Sequence, residues 1–170
     1  MALTLAELLA RVPQRGVVQW IGVRPARRAP LISVEQVEAR AGAGLTGDHF
    51  SASLESKRQV TLIQAEHLGV IADLLRRESI DPGHLRRNIV VRGVNLLALN
   101  GARFSVGGAL LEGTGGCHPC SRMEEALGEG GYNVMRGHGG ITARVIQSGI
   151  IRLGDEVALR VPGRLTKHED

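Results

Sequence analysis

From Leu96 onward the chain is a series of short apolar runs cut by glycine: Phe104 to Val106, Ala109 to Glu112, Ile141 to Gln147, Ile150 to Leu153 and Glu156 to Val161. Such runs are too short for helices and too closely spaced for the helical crossovers of a doubly wound sheet. The pattern therefore predicts a mostly β (α+β) fold, a closed or nearly closed barrel with a few peripheral helices. Gly154-Asp155 reads as a hairpin turn between the last two runs, with Asp155 closing it. Aromatic residues make up only 2% of the chain, so the core must come from Val, Ile, Leu and Ala.

The earlier part supplies the remaining strands and the helices. Arg15 to Arg24 is rich in β-branched residues and stops at Pro25, which reads as a strand. Ile32 to Ala41 reads as a second strand, with a helix over Val34 to Ala41 as the alternative. Gly42 to Asp48 is too glycine-rich for an element interior and reads as a shaped turn that presents backbone N–H groups to a ligand. Arg58 to Ile63 is a strand, and Ala65 to Arg77 places Leu68, Ile71, Ala72 and Leu75 on one helical face. Asp81-Pro82-Gly83 ends that helix, and Ile89 to Val91 forms a buried strand with Arg86, Arg87 and Asn88 at its entrance. At 170 residues the chain accommodates one domain, residues 1–170, with a core over about 15–161, an N-terminal helix over 3–11 and a polar, frayed tail over 162–170.

Composition also narrows the function classes. With four aromatic residues, Trp20, Phe50, Phe104 and Tyr132, base-stacking platforms for nucleic acid are not expected. The net charge of +4 is carried largely by arginines, among them Arg24, Arg27, Arg28, Arg86, Arg87 and Arg92, and suits a phosphate or other oxyanion as well as it suits a solvated surface. The first apolar run contains Glu7 and has no basic leader, so an amphipathic helix is expected there and not a signal peptide. No run approaches the roughly 20 apolar residues that cross a bilayer. The expectation is a cytoplasmic protein without membrane or nucleic-acid partners, whose two cysteines are thiols, metal ligands or a redox pair.

Both cysteines lie in Gly115-Gly116-Cys117-His118-Pro119-Cys120-Ser121-Arg122-Met123-Glu124. The capping-box pattern Ser121-x-x-Glu124 predicts a short helix starting beside Cys120, where free N–H groups favour an anion. A thiol so placed ionises more readily, and the thiolate attacks sulfur or binds a soft metal. Cys120 is thus the candidate reactive atom, with a small buried core cysteine as the alternative. Cys117 admits three further readings: a dithiol with Cys120, half of a zinc site completed by His118 and His138, or a thiol that protects or resolves a sulfur species on Cys120. His138, in a glycine-rich loop, is either an acid or base near neutral pH or a loop residue without chemistry.

Taken in order, Gly44-Leu45-Thr46-Gly47-Asp48, Leu85-Arg86-Arg87-Asn88-Ile89, Gly107-Gly108-Ala109, Pro119-Cys120, Gly139-Gly140-Ile141-Thr142-Ala143-Arg144-Val145 and Gly149 to Asp155 resemble the MOSC domain, the family of the C-terminal domain of molybdenum cofactor sulfurase. The resemblance implies a strongly bent barrel and a single functional cysteine at the Pro-Cys position, Cys120. It implies a thiolate ligand to molybdenum there, or a persulfide carrier. It further implies that Arg86 and Asn88 lie close to a molybdenum cofactor (molybdopterin) and its phosphate. Thr46, Gly47 and Asp48 of the glycine turn are candidates to hydrogen-bond the same pterin, while Asp48 can equally stabilise its own turn; His138 joins this candidate set. The expected partners are a small-molecule substrate, N-hydroxylated in the cofactor mode, and either an electron-donor protein or a cysteine desulfurase.

Overall fold

The computed structural model describes residues 1–49 and 55–163. Strands β1 (Gly16–Val23), β2 (Ile32–Ser33), β3 (Gln36–Arg40), β4 (Gly44–Leu45), β5 (Val60–Gln64), β6 (Ile89–Arg92), β7 (Arg103–Val106), β8 (Ala109–Gly116), β9 (Ile141–Gln147), β10 (Gly149–Arg152) and β11 (Glu156–Val161) are joined by helices α1 (Leu5–Leu9), α2 (Ala65–Leu74), α3 (Ser121–Leu127) and α4 (Gly131–Met135). Seven strands run in the order β11-β7-β8-β9-β5-β6-β1, and β1 returns to β11 through the pairs Gly16↔Val157 and Val17↔Glu156. The sheet is therefore a closed barrel, mostly β, as the glycine-cut runs predict. All its pairings are antiparallel except β5–β6, which α2 and the segment after it join as a crossover. β3, β4 and β10 form a separate three-stranded sheet.

Two cores follow from this layout. Alternate residues of β8, Ala109, Leu111 and Gly113, are buried, and Leu111 joins Phe104, Val60, Leu62 and Ile89 inside the barrel. β5 is buried at every position, because its other face is covered. On that face Ile63 and Val90 pack against Ile71 of α2, Met123 and Leu127 of α3 and Met135 of α4. The second core fixes α3 against the barrel wall, and with it the loop from β8 that carries both cysteines.

The structure corrects several local expectations. Ile32 to Ala41 is two strands and not one, and its second half has the alternating burial of β3, with Val37 and Ala39 inward, which a helix over 34–41 would not give. Gly154-Asp155 is not a hairpin turn: β10 pairs with β3 while β11 pairs with β7 and β1, so the turn passes the chain between sheets. Asp155 does close it, accepting from the Arg152 N–H at 2.7 Å. The break after α2 opens into a 3-10 turn, Pro82–Leu85, capped by Asp81, whose Oδ1 accepts from the Gly83 N–H at 2.8 Å. α1 spans five residues behind a Thr4–Glu7 capping box and buries none of them. Residues 164–170 of the tail and Phe50 lie outside the described residues. Among the described residues no helix is long and apolar enough to cross a membrane.

Candidate functional site

β8 ends at Gly116, and the next four residues run without a turn into α3. Cys117 is 2% exposed, and its N–H donates to the Gly140 carbonyl at 2.9 Å. Cys120 is exposed and is itself the N-cap of α3, with extended backbone (φ −125°, ψ 175°). The Ser121-x-x-Glu124 capping box does not form. Because the cap falls one residue earlier, Glu124 lies a residue beyond the position from which a side chain reaches back to the cap N–H. Its carboxylate accepts instead from the Gly130 and Tyr132 N–H groups, both at 2.8 Å, tying α3 to α4 and holding its pKa below the ordinary carboxylate value. One thiol is thus presented to solvent at a helix start while the other is shut in.

The Cys117 carbonyl is held by Arg87, 2% exposed, which nothing in the sequence separates from its arginine neighbours. Its Nε donates to the Gly139 carbonyl at 2.8 Å, Nη1 to Leu85 at 2.8 Å and Nη2 to Cys117 at 3.2 Å. Burial pulls its pKa below the ordinary guanidinium value. Negative charge on Cys117 or Cys120 opposes that shift, and Arg58 adds to it. Gly139 and Gly140 make this packing possible: a Cβ on Gly139 would meet the Cys117 carbonyl oxygen at 2.2 Å.

Beside α3 lies a cavity of about 580 Å³ lined by Arg28, Arg86, Arg122, Glu125 and Ala126. Arg28 and Arg86 both hold left-handed backbone, φ 64° and 59°, which side-chain-bearing residues rarely adopt. Arg86 also lines a second pocket of about 110 Å³, shared with Arg24, Arg58, Asp48, His49, Gln59, Thr61 and Asn88. Asn88 is 7% exposed: its Oδ1 accepts from the Thr61 N–H at 3.1 Å, and its Nδ2 donates to the Gly22 carbonyl at 3.1 Å. Asp48 accepts from the Arg24 N–H at 2.7 Å. Arg24 Nε and Gln59 Nε2 are buried and have no partner among the described residues. Sequence reasoning did not single out Arg24, Arg28, Arg58, Arg122 or Gln59 as site residues; the arginine excess pointed to an oxyanion without saying which arginines converge.

Asp48, Arg86 and Asn88 are thus brought together. Thr46 is not with them: its N–H donates to the Glu38 carbonyl at 2.9 Å, and it lines a separate 230 Å³ cavity with Val37 and Ile150. The turn N–H groups of Thr46 and Asp48 are spent on Glu38 and Leu45, and Gly47 (φ 84°) supplies the left-handed step between them. The turn is held by its own bonds and does not present these N–H groups to a ligand. His138 directly precedes Gly139 in the chain. Its Nδ1 lies 2.8 Å from the Val134 carbonyl, which makes Nδ1 the protonated nitrogen, and its ring meets His67 edge-on at 5.3 Å. Burial and then His138 push the His67 pKa below its ordinary value. Among the described residues no group of three or more His, Cys, Asp or Glu side chains converges on a metal position.

A model of the MOSC domain family matches residues 46–158. The chain belongs to the MOSC domain family. Solved structures share the fold: YuaD from Bacillus subtilis, at 20% identity and TM-score 0.75, covers 89% of this chain and 99% of its own. YiiM from Escherichia coli, at 18% identity and TM-score 0.67, covers 89% of this chain and 72% of its own. YiiM from Geobacillus stearothermophilus, at 18% identity and TM-score 0.65, covers 87% and 75%. No curated protein matches the chain. In this MOSC domain the Pro-Cys cysteine is Cys120, the exposed one, and Cys117 is the buried one whose carbonyl accepts from Arg87.

Proposed function

We propose that this MOSC protein binds a molybdenum cofactor through Cys120 and the arginine-lined groove, and reduces N-hydroxylated small molecules. One observation carries the reading: the 110 Å³ pocket contains two buried donors without partners among the described residues, Gln59 Nε2 and Arg24 Nε, and three arginines in its wall. Buried polar groups are normally paired, so donors left open in a cationic pocket fit an acceptor-rich, anionic ligand. A pterin with a phosphate arm has that character. Arg24, Arg28, Arg58 and Arg86 would hold the phosphate, Asn88 and Asp48 the heterocycle, and the exposed Cys120 thiolate the metal. Bound there, the group supplies two-electron redox chemistry at the metal.

The residues of this chain supply binding and orientation. A thiolate is the soft ligand such a metal takes, and Cys120 is accessible where Cys117 is not. The overall reaction, R–NHOH + 2 e⁻ + 2 H⁺ → R–NH₂ + H₂O, draws its electrons from a separate donor protein.

The exposure of Cys120 favours a second reading, in which a cysteine desulfurase loads it with sulfane sulfur for delivery to a metal–sulfur centre. The thiol/disulfide module is less well supported, because no turn brings the buried and exposed cysteines together. Elemental mass spectrometry of protein from a host that makes molybdenum cofactor, beside Cys120→Ser, tests the leading reading. About one molybdenum per chain, lost in the variant, is the expected result. No molybdenum together with cyanide-released thiocyanate from the parent would replace it with the carrier reading.

A further inference from the structure

Gln59 lies at the foot of β5, 2% exposed, in the wall of the 110 Å³ pocket. Its amide cannot turn freely. Oε1 accepts from the Val145 N–H at 2.9 Å, and flipping the group would set NH₂ against that N–H, donor against donor. Nε2 must therefore point away from Val145, and there it finds no partner among the described residues. Asn88 is fixed in the same sense, with Oδ1 taken by Thr61 and Nδ2 bonded once, to Gly22, leaving one N–H unspent. Two buried amides in one pocket thus have their oxygens committed to the protein and N–H groups left over.

We propose that Gln59 is a ligand-contact residue, donating through Nε2 to an acceptor atom on the edge of the pterin while Asn88 donates through its spare N–H. The edge they read must carry acceptors, a carbonyl oxygen or an unprotonated ring nitrogen, because N–H groups are what both amides leave unspent. This rests on the cofactor reading above, yet it needs neither the metal nor Cys120: a pterin edge can be recognised on its own.

Fluorescence titration of the purified full chain with 6-carboxypterin tests it, using the parent, Cys120→Ser, Gln59→Glu and Gln59→Met. Glu keeps an oxygen for the Val145 N–H and replaces the donor with an acceptor; Met removes both without branching, and covers the case in which Glu fails to fold, judged by the thermal midpoint. Saturable binding is expected for the parent and for Cys120→Ser, with the folded Gln59 variant weaker by about tenfold or more. Equal binding by the parent and a folded Gln59 variant overturns the assignment. So does absence of binding by the parent, whatever its metal content. Molybdenum content of the parent and Cys120→Ser reports separately on the cofactor reading, so the two can fail independently.

Discussion

The Arg87 guanidinium donates to the Cys117 carbonyl at 3.2 Å, joining the entrance of β6 to the cysteine loop through a side chain that is 2% exposed. The same group reaches Gly139 and Leu85, so one buried cation holds three segments.

Replacing it with Met should therefore be among the most damaging single changes in the chain. Three buried carbonyls lose a charged donor, and a loss of about 3 kcal/mol or more is expected from such networks. Chemical denaturation of Arg87→Met and Arg87→Lys checks this. Lys should recover only part of the loss, since it cannot span three carbonyls in one plane. An Arg87→Met midpoint equal to the parent's would remove Arg87 from the account of the loop.

The two thiols should separate cleanly by reactivity. Iodoacetamide added to native protein is expected to label exposed Cys120 and leave Cys117 unmodified, with Cys117 labelled only after denaturation. Peptide mass spectrometry over a time course reads the difference, which should be about 100-fold or greater in rate. Comparable labelling of both would contradict the burial of Cys117.

Gly140 and Gly69 make a contrasting pair. A Cβ at Gly140 would lie 1.8 Å from the Leu62 carbonyl oxygen on backbone with φ 81°, so Gly140→Ala should cost several kcal/mol, about 3 or more. Gly69 lies inside α2 with nothing within 4 Å of a new Cβ, and Gly69→Ala should stabilise by about 0.5–1 kcal/mol. Thermal midpoints moving in opposite directions are the expected result.

His67 gives the chain an acid-side pH dependence. Burial and the neighbouring His138 depress its pKa in the fold, so the unfolded state takes up the proton first as pH falls. Its contribution is complete above the ordinary imidazole value of about 6.5 and is lost as the pH drops through the lower folded value. Denaturant midpoints measured from pH 7.5 to 5 should fall less steeply in His67→Gln than in the parent. An identical slope would show that this pair does not titrate differently in the two states.

The strand pattern of the fold was legible because its cause is local: glycine cuts bound the runs Ala109 to Glu112 and Ile141 to Gln147, the first of which continues in the structure to Gly116. Partnering was not, since nothing in Ile150 to Asp155 says that β10 turns away to β3 while β11 goes back to the barrel. The site divides in the same way. Pro119-Cys120 and Arg86-x-Asn88 carry their signal in the sequence itself, and the structure brings Arg86 and Asn88 into one pocket. Gln59 and Arg87 have none, because a glutamine at a strand end and one arginine of a pair become distinct only when long-range folding decides which side chain is buried and against which carbonyl.

The barrel is completed by its first and last strands, through two residue pairs between β1 and β11. During synthesis, β1 leaves the ribosome long before its second neighbour exists, and the ring cannot shut until β11 has emerged. Until then β1 and β7 expose unpaired edges, a state open to pairing with other nascent chains. Closure across nearly the whole chain also raises the contact order, so slow folding is expected, since the entropy of closing that loop must be met before the seam pairs form. Expression yield should therefore respond more sharply to changes in the seam residues Gly16, Val17, Glu156 and Val157 than their few contacts suggest.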